Sequence, residues 1–218
     1  VLFCHPESEA KAAKHKGLGK QKGFLGAPGI AFLEPDGEGI VQVPASTHSV
    51  AQFEHYGQRA QQLLAWRAAA AKGDARAVAS LLVAQLEERQ VGLDVATARR
   101  RDLKSETDAE RARLDELLLD LRISAEIGAV QNDLPGRREL GKKYLAMLAK
   151  GTLPSPMVTR GLWFVIMEHA EATGDPAAFE VGLQGMRRNV QLTAGGEEWG
   201  AKLVLECEGK LAALRSRK

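Results

Sequence analysis

Between Gly26 and Gly37 the chain reads Gly-Ala-Pro-Gly-Ile-Ala-Phe-Leu-Glu-Pro-Asp-Gly: a constrained proline, a short apolar run, then a turn. Ile30 to Leu33 is a compact apolar run bounded by turn formers, which predicts a buried strand. In Pro35-Asp36-Gly37 the proline presets φ and the glycine accepts a positive φ, so the chain is expected to reverse there. The run from Glu38 to Val43 then supplies Ile40, Val41 and Val43 for a second, antiparallel strand. A hairpin entered through a proline is the result, and everything around it has to accommodate that hairpin.

Ahead of it, Val1-Leu2-Phe3 is a short apolar run expected to form a central strand. Glu7 to Lys16 favours a helix, with Pro6 near its N-terminus where proline is tolerated. Gly17 ends that helix, and residues 17–23 form a glycine- and lysine-rich connector. Behind the hairpin, residues 46–49 offer caps for a helix running from about Val50 towards Ala71. Phe53, Tyr56, Ala60, Leu63 and Leu64 form its apolar stripe.

Strand, helix, proline, strand, strand, helix: this order resembles the second half of a thioredoxin-fold domain. The resemblance puts Pro28 at the family's cis-proline position, with Gly29 where the family commonly has Thr. It also implies that Ala27, Pro28 and Gly29 form the substrate-facing loop, Ala27 offering its backbone to an extended protein thiol or disulfide substrate. Read from the residues alone, Pro28 fits a trans proline opening an edge strand as well. The family's chemistry is thiol–disulfide exchange by a Cys-x-x-Cys at a helix N-terminus, where the thiol pKa is lowered. That helix precedes the strand matched by residues 1–3, and the sequence holds no Cys-x-x-Cys. Its two cysteines, Cys4 and Cys207, stand at opposite ends, so no catalytic residue is assigned. Because the sequence opens on what reads as the middle of a strand, the domain is expected to be N-terminally incomplete.

From Lys72 onward strand signals vanish. Gly73-Asp74 breaks one helix and caps another, in which Val78, Leu82 and Leu86 share a face. Residues 98–104 are an arginine-rich patch, read as a solvated helix face. Thr107-Asp108 caps a long helix expected to turn Leu114, Leu117, Leu118, Leu121 and Ala125 inward. Leu134-Pro135-Gly136 is expected to be a turn before a helix with Leu140, Tyr144, Leu145 and Leu148, stopped by Gly151. Ser155-Pro156 reads as an N-cap and N1 proline, with Leu162, Val165, Ile166 and His169 on one side of the helix that follows. Gly174-Asp175-Pro176 punctuates again, before Phe179, Leu183, Met186 and Val190. The last helix carries Trp199, Leu203, Cys207, Leu211 and Leu214 in a stripe, making Cys207 a core cysteine. Asp74 and Asp108 are 34 positions apart (108 − 74), which is similar to the period of about 34 in tetratricopeptide modules. The later intervals drift, so an irregular array of helical hairpins and a plain helical bundle both fit.

The fold class expected is therefore α+β: a partial thioredoxin-like fold over residues 1–71, followed by an all-α hairpin array or bundle over residues 72–218. Net charge is only +2, with 30 lysines and arginines dispersed among 28 acids, which gives no electrostatic case for a nucleic-acid partner. The longest apolar run, Leu162 to Met167, is far too short to span a membrane. Cys4-His5 cannot supply the four or so ligands of a zinc site, and no metal or cofactor is expected. GxSxG, HExxH and GxxxxGK[ST] are all missing, and Glu87-Glu88 and Glu197-Glu198 read as solvated faces. Two functional readings follow. One is a protein of the thiol–disulfide oxidoreductase family. The other is a non-catalytic protein-interaction module that uses its helical part as the binding surface.

Overall fold

The two apolar runs that suggested a hairpin do pair. In the computed structural model, which describes residues 2–3, 30–34, 39–43, 49–155, 158–192 and 197–216, β2 (Ile30–Leu33) runs antiparallel to β3 (Gly39–Val43). Ile30 faces Val43, Phe32 faces Val41, and the register slips between Phe32 and Leu33. The turn residues 35–38 lie outside the described residues, as do Cys4, the helix expected over 7–16, and the loop Ala27-Pro28-Gly29. A short β1 (Leu2–Phe3) pairs antiparallel with β2, so the sheet order is β1-β2-β3.

That order overturns the expected partial thioredoxin fold. Residues 2–3 form an edge strand of a small, wholly antiparallel sheet, because β2 already stands between β1 and β3. The rest of the described chain is helical: α1 (Val50–Ala71), α2 (Ala75–Glu87), α3 (Leu93–Asp102), α4 (Asp108–Ala129), α5 (Leu134–Ala149), α6 (Gly161–Thr173), α7 (Pro176–Leu192) and α8 (Glu197–Ser216). The molecule is thus a mostly helical protein carrying a small β-meander. The run of helices expected after residue 72 is present.

The chain divides into two compact units, Val1–Leu114 and Asp115–Lys218. In the first, Ile40 and Val41 pack with Ala60 and Leu63 of α1 and with Ala84 of α2. Phe32, Tyr56, Trp66 and Leu81 complete this cluster. Ser49 caps α1 reciprocally with Gln52, which satisfies two of the backbone donors a helix start leaves open. Arg67 reaches both Glu34 and Gln90, and Gln90 donates to the Ile40 carbonyl, so polar contacts bind the hairpin to the helices that cover it. Gly73 takes a positive φ of 87° and Asp74 caps α2 by accepting from the amides of Arg76 and Ala77. On α2, Leu82 and Leu86 are buried as expected, but Val78 faces outward and Ala77, Ala79 and Ala84 share the buried face. Two of the arginines of α3 are engaged by neighbours: Arg99 bonds Gln85 and Arg100 bonds Glu106.

In α4, Thr107 and Glu110 form the start, and Leu114 and Leu118 are buried. Further along, Ala125 is exposed, and Ile123 and Ile127 take the inward positions instead. The second unit stacks α5 on α6, α6 on α7 and α7 on α8. Two start signals are corrected there. Residues 134–136 are the first turn of α5 rather than a preceding turn, since proline is tolerated where no intrahelical donor is needed. Ser155 does not cap α6, which begins at Gly161. Instead its amide and hydroxyl both donate to the carboxylate of Asp120, while Pro156 lies outside the described residues. The buried Asn189 holds the same approach segment, donating to the Val158 carbonyl at 2.9 Å and accepting from Arg160 Nε at 3.1 Å. Gly174, left-handed at φ 67°, ends α6, and Asp175 caps α7 through the amides of Ala177 and Ala178. Leu203, Cys207, Leu211 and Leu214 of α8 pack into the core, whereas the Trp199 side chain lies outside the described part. Among the described residues, no helix is long and apolar enough to cross a membrane.

Candidate functional site

The loop that the thioredoxin resemblance marked for substrate, Ala27-Pro28-Gly29, lies outside the described residues. The site that can be built residue by residue is in the second unit. It begins on α6. Leu162, Val165, Ile166 and Ala170 are buried, and these four consume one side of the helix. Phe164, Met167, Glu168 and Glu171 stand at i, i+3, i+4 and i+7, which places them in a single stripe along another side. That stripe is one wall of an open cleft of about 510 Å³. Leu134, Arg137 and Arg138 from the start of α5 form the facing wall. Phe179 of α7 and Cys207 and Lys210 of α8 close the remaining sides.

Close approach of α5 and α6 sets the geometry. Gly141 lies against the Val165 carbonyl and His169 Cβ, so tightly that a Cβ there would sit less than 3.0 Å from both. One turn earlier, Arg137 donates to Glu168 Oε1. Across the cleft Lys210 Nζ lies 2.9 Å from Glu171 Oε1, and this hydrogen bond holds the Lys210 ammonium above its ordinary pKa. The apolar floor is Met167, Phe164 and Phe179, with the half-exposed Leu134 at the rim. One polar atom and one charged side chain are left over. Glu168 Oε2 is buried and meets no donor, and Arg138 is exposed with no acidic partner among the described residues.

Cys207 borders this cleft but is only 5% exposed. Burial pushes its thiol up, and although Lys210 pulls the other way, the net direction is upward. The group is therefore a protonated thiol at neutral pH, packed as a small apolar residue. In a Cys4→Ser background, reaction of Cys207 with a thiol-titrating disulfide reagent is expected to be slow in buffer and fast in denaturant. Equal rates in the two conditions would show that the thiol is accessible in the native chain. Among the described residues, no group of three or more His, Cys, Asp or Glu side chains could hold a metal ion.

The sequence reading placed Cys207 in the core but missed the cleft. One signal pointed to it. Arg137 and Arg138 lie close to the N-terminal end of α5, where the helix dipole favours acids, and α5 has no acid in its first turn. A local preference broken in this way is where functional residues are expected. In comparisons of the chain with known proteins, no family model matches, and neither does any curated protein or solved structure.

Proposed function

We propose that this chain is a non-catalytic protein-interaction module whose second unit presents the α5–α8 cleft to a segment of a partner protein. The observation that carries this reading is the cleft's composition. An apolar floor of Phe164, Met167 and Phe179 is combined with a few charged groups fixed at its edge, Arg137 against Glu168 and Lys210 against Glu171. Recognition sites have this character, with apolar area supplying affinity and a small number of placed polar groups supplying orientation. Consecutive stacking of α5 to α8 supports the reading too, since stacked helical hairpins leave extended surfaces open to partners. The one described cysteine, buried and protonated, offers no thiolate for exchange chemistry.

The test is an array of short synthetic peptides probed with the wild-type chain and with Leu134→Asp. Leu134 is 47% exposed, so the substitution charges the cleft rim without emptying the core. A set of peptides retained by the wild type and lost by Leu134→Asp is expected. Identical retention by both proteins, or none by either, overturns the reading. So does turnover of a protein disulfide in a turbidity assay that is lost in Cys4→Ser or Cys207→Ser.

A further inference from the structure

The unmatched cation of the cleft says what kind of segment fits it. We infer that the α5–α8 cleft takes an extended peptide with a large apolar side chain next to a single acidic one: the apolar group rests on Phe164, above Met167 and Phe179, and the acid pairs with Arg138. The inference rests on the interaction-module reading and sharpens it to a partner class.

Charge complementarity carries the argument. Of the five ionised groups around the cleft, Arg137 is matched by Glu168 and Lys210 by Glu171, which leaves the guanidinium of Arg138 as the unpaired charge. One surplus cation asks for one anion. A second acid would face Glu168 and Glu171, and a basic segment would meet Arg138 with like charge. Glu168 uses Oε1 on Arg137 and its Oε2 is shielded from solvent, so this carboxylate leaves Arg138 as the cation open to a ligand. The apolar side chain follows from the floor, where the partly covered Phe164 offers the contact and the buried Met167 and Phe179 lie beneath it. Met in such a floor adapts its shape to different apolar side chains.

Fluorescence-polarisation titration with labelled, end-blocked hexapeptides separates the parts. The probes carry Phe-Glu, Phe-Gln, Phe-Lys or Ala-Glu at the centre of an otherwise Gly/Ser sequence. Phe-Glu is expected to bind best, Phe-Gln roughly three- to fivefold more weakly, as suits one half-exposed ion pair, and Phe-Lys more weakly again. Ala-Glu is expected to show no saturable binding. Arg138→Glu should reverse the order of Phe-Glu and Phe-Lys without changing the melting temperature, since Arg138 is exposed. If Phe-Glu and Phe-Lys bind equally to the wild type, yet binding is lost in Leu134→Asp, the acidic specificity is wrong and the module reading stands. If no probe and no array peptide shows binding sensitive to Leu134→Asp, both fall together.

Discussion

Gly141→Ala is expected to destabilise the chain by about 1–3 kcal/mol, while Gly209→Ala stabilises it by about 0.5–1 kcal/mol. The two glycines are both inside helices, α5 and α8, so their intrinsic preferences are alike. In a helix interior alanine is favoured over glycine by nearly 1 kcal/mol. What separates them is what the new methyl meets. At Gly209 nothing lies within 4 Å, and the propensity gain is realised in full. At Gly141 the methyl meets the backbone carbonyl of Val165, and α6 cannot yield there without moving Leu162, Val165 and Ile166, all buried. The clash therefore outweighs the propensity term. Gly185→Ala tests the same idea on the other side of α6, where the methyl would press into the Trp163 indole. Its penalty is expected to be smaller than that of Gly141→Ala, because a ring can shift where a backbone cannot. Equilibrium denaturant unfolding of the three variants checks the signs. A stabilised Gly141→Ala would mean that the Val165 carbonyl does not press on this position.

Local chemistry was legible in this sequence and non-local pairing was not. Gly73-Asp74, Thr107 and Gly174-Asp175 end and start helices where they were read to, because a cap is decided by residues within one turn. The hairpin was legible for the same reason. Its neighbour was not: β1 meets β2 through Phe3 and Ile30, far apart in sequence, and strand order alone does not say which strands become adjacent. Strand, helix, proline, hairpin, helix is shared by many sheets, so the thioredoxin resemblance was carried by an order and not by a pairing. Ser155-Pro156 failed differently. A serine before a proline is a good cap in isolation, but the Asp120 carboxylate on α4 claimed the Ser155 amide and hydroxyl. The cleft was hidden by the composition of α6. Leu162 to Met167 is an unbroken apolar run, so periodicity there cannot say which side is core and which is cleft. Only the neighbours α5 and α8 decide that, and they leave Phe164 and Met167 beside Arg137 and Lys210.

Phe179→Ala is expected to be among the most damaging single changes in the second unit, costing about 3–5 kcal/mol. The residue is 1% exposed and sits in the first turn of α7, just after the Asp175 cap, in one cluster with Leu183 and Cys207. Truncation to alanine removes the transfer free energy of a phenyl ring and leaves a void that rigid neighbours on three helices cannot close. Because Phe179 also closes the cleft, that void opens towards solvent, and water entering it places the cost at the lower end of the range. Phe164→Ala provides the comparison. Phe164 lines the same cleft but is only partly buried, so its truncation is expected to cost roughly half as much while weakening peptide binding more. Chemical denaturation reads the stability of each variant, and titration with the Phe-Glu hexapeptide reads the cleft. The two measurements should rank the variants in opposite order, provided Phe179→Ala is assayed at a temperature where it remains folded. The same rank in both would mean that Phe164 acts as core and that the cleft floor is not a contact surface. Opposite ranks separate the ring that holds the helices together from the ring that the helices hold out to a partner.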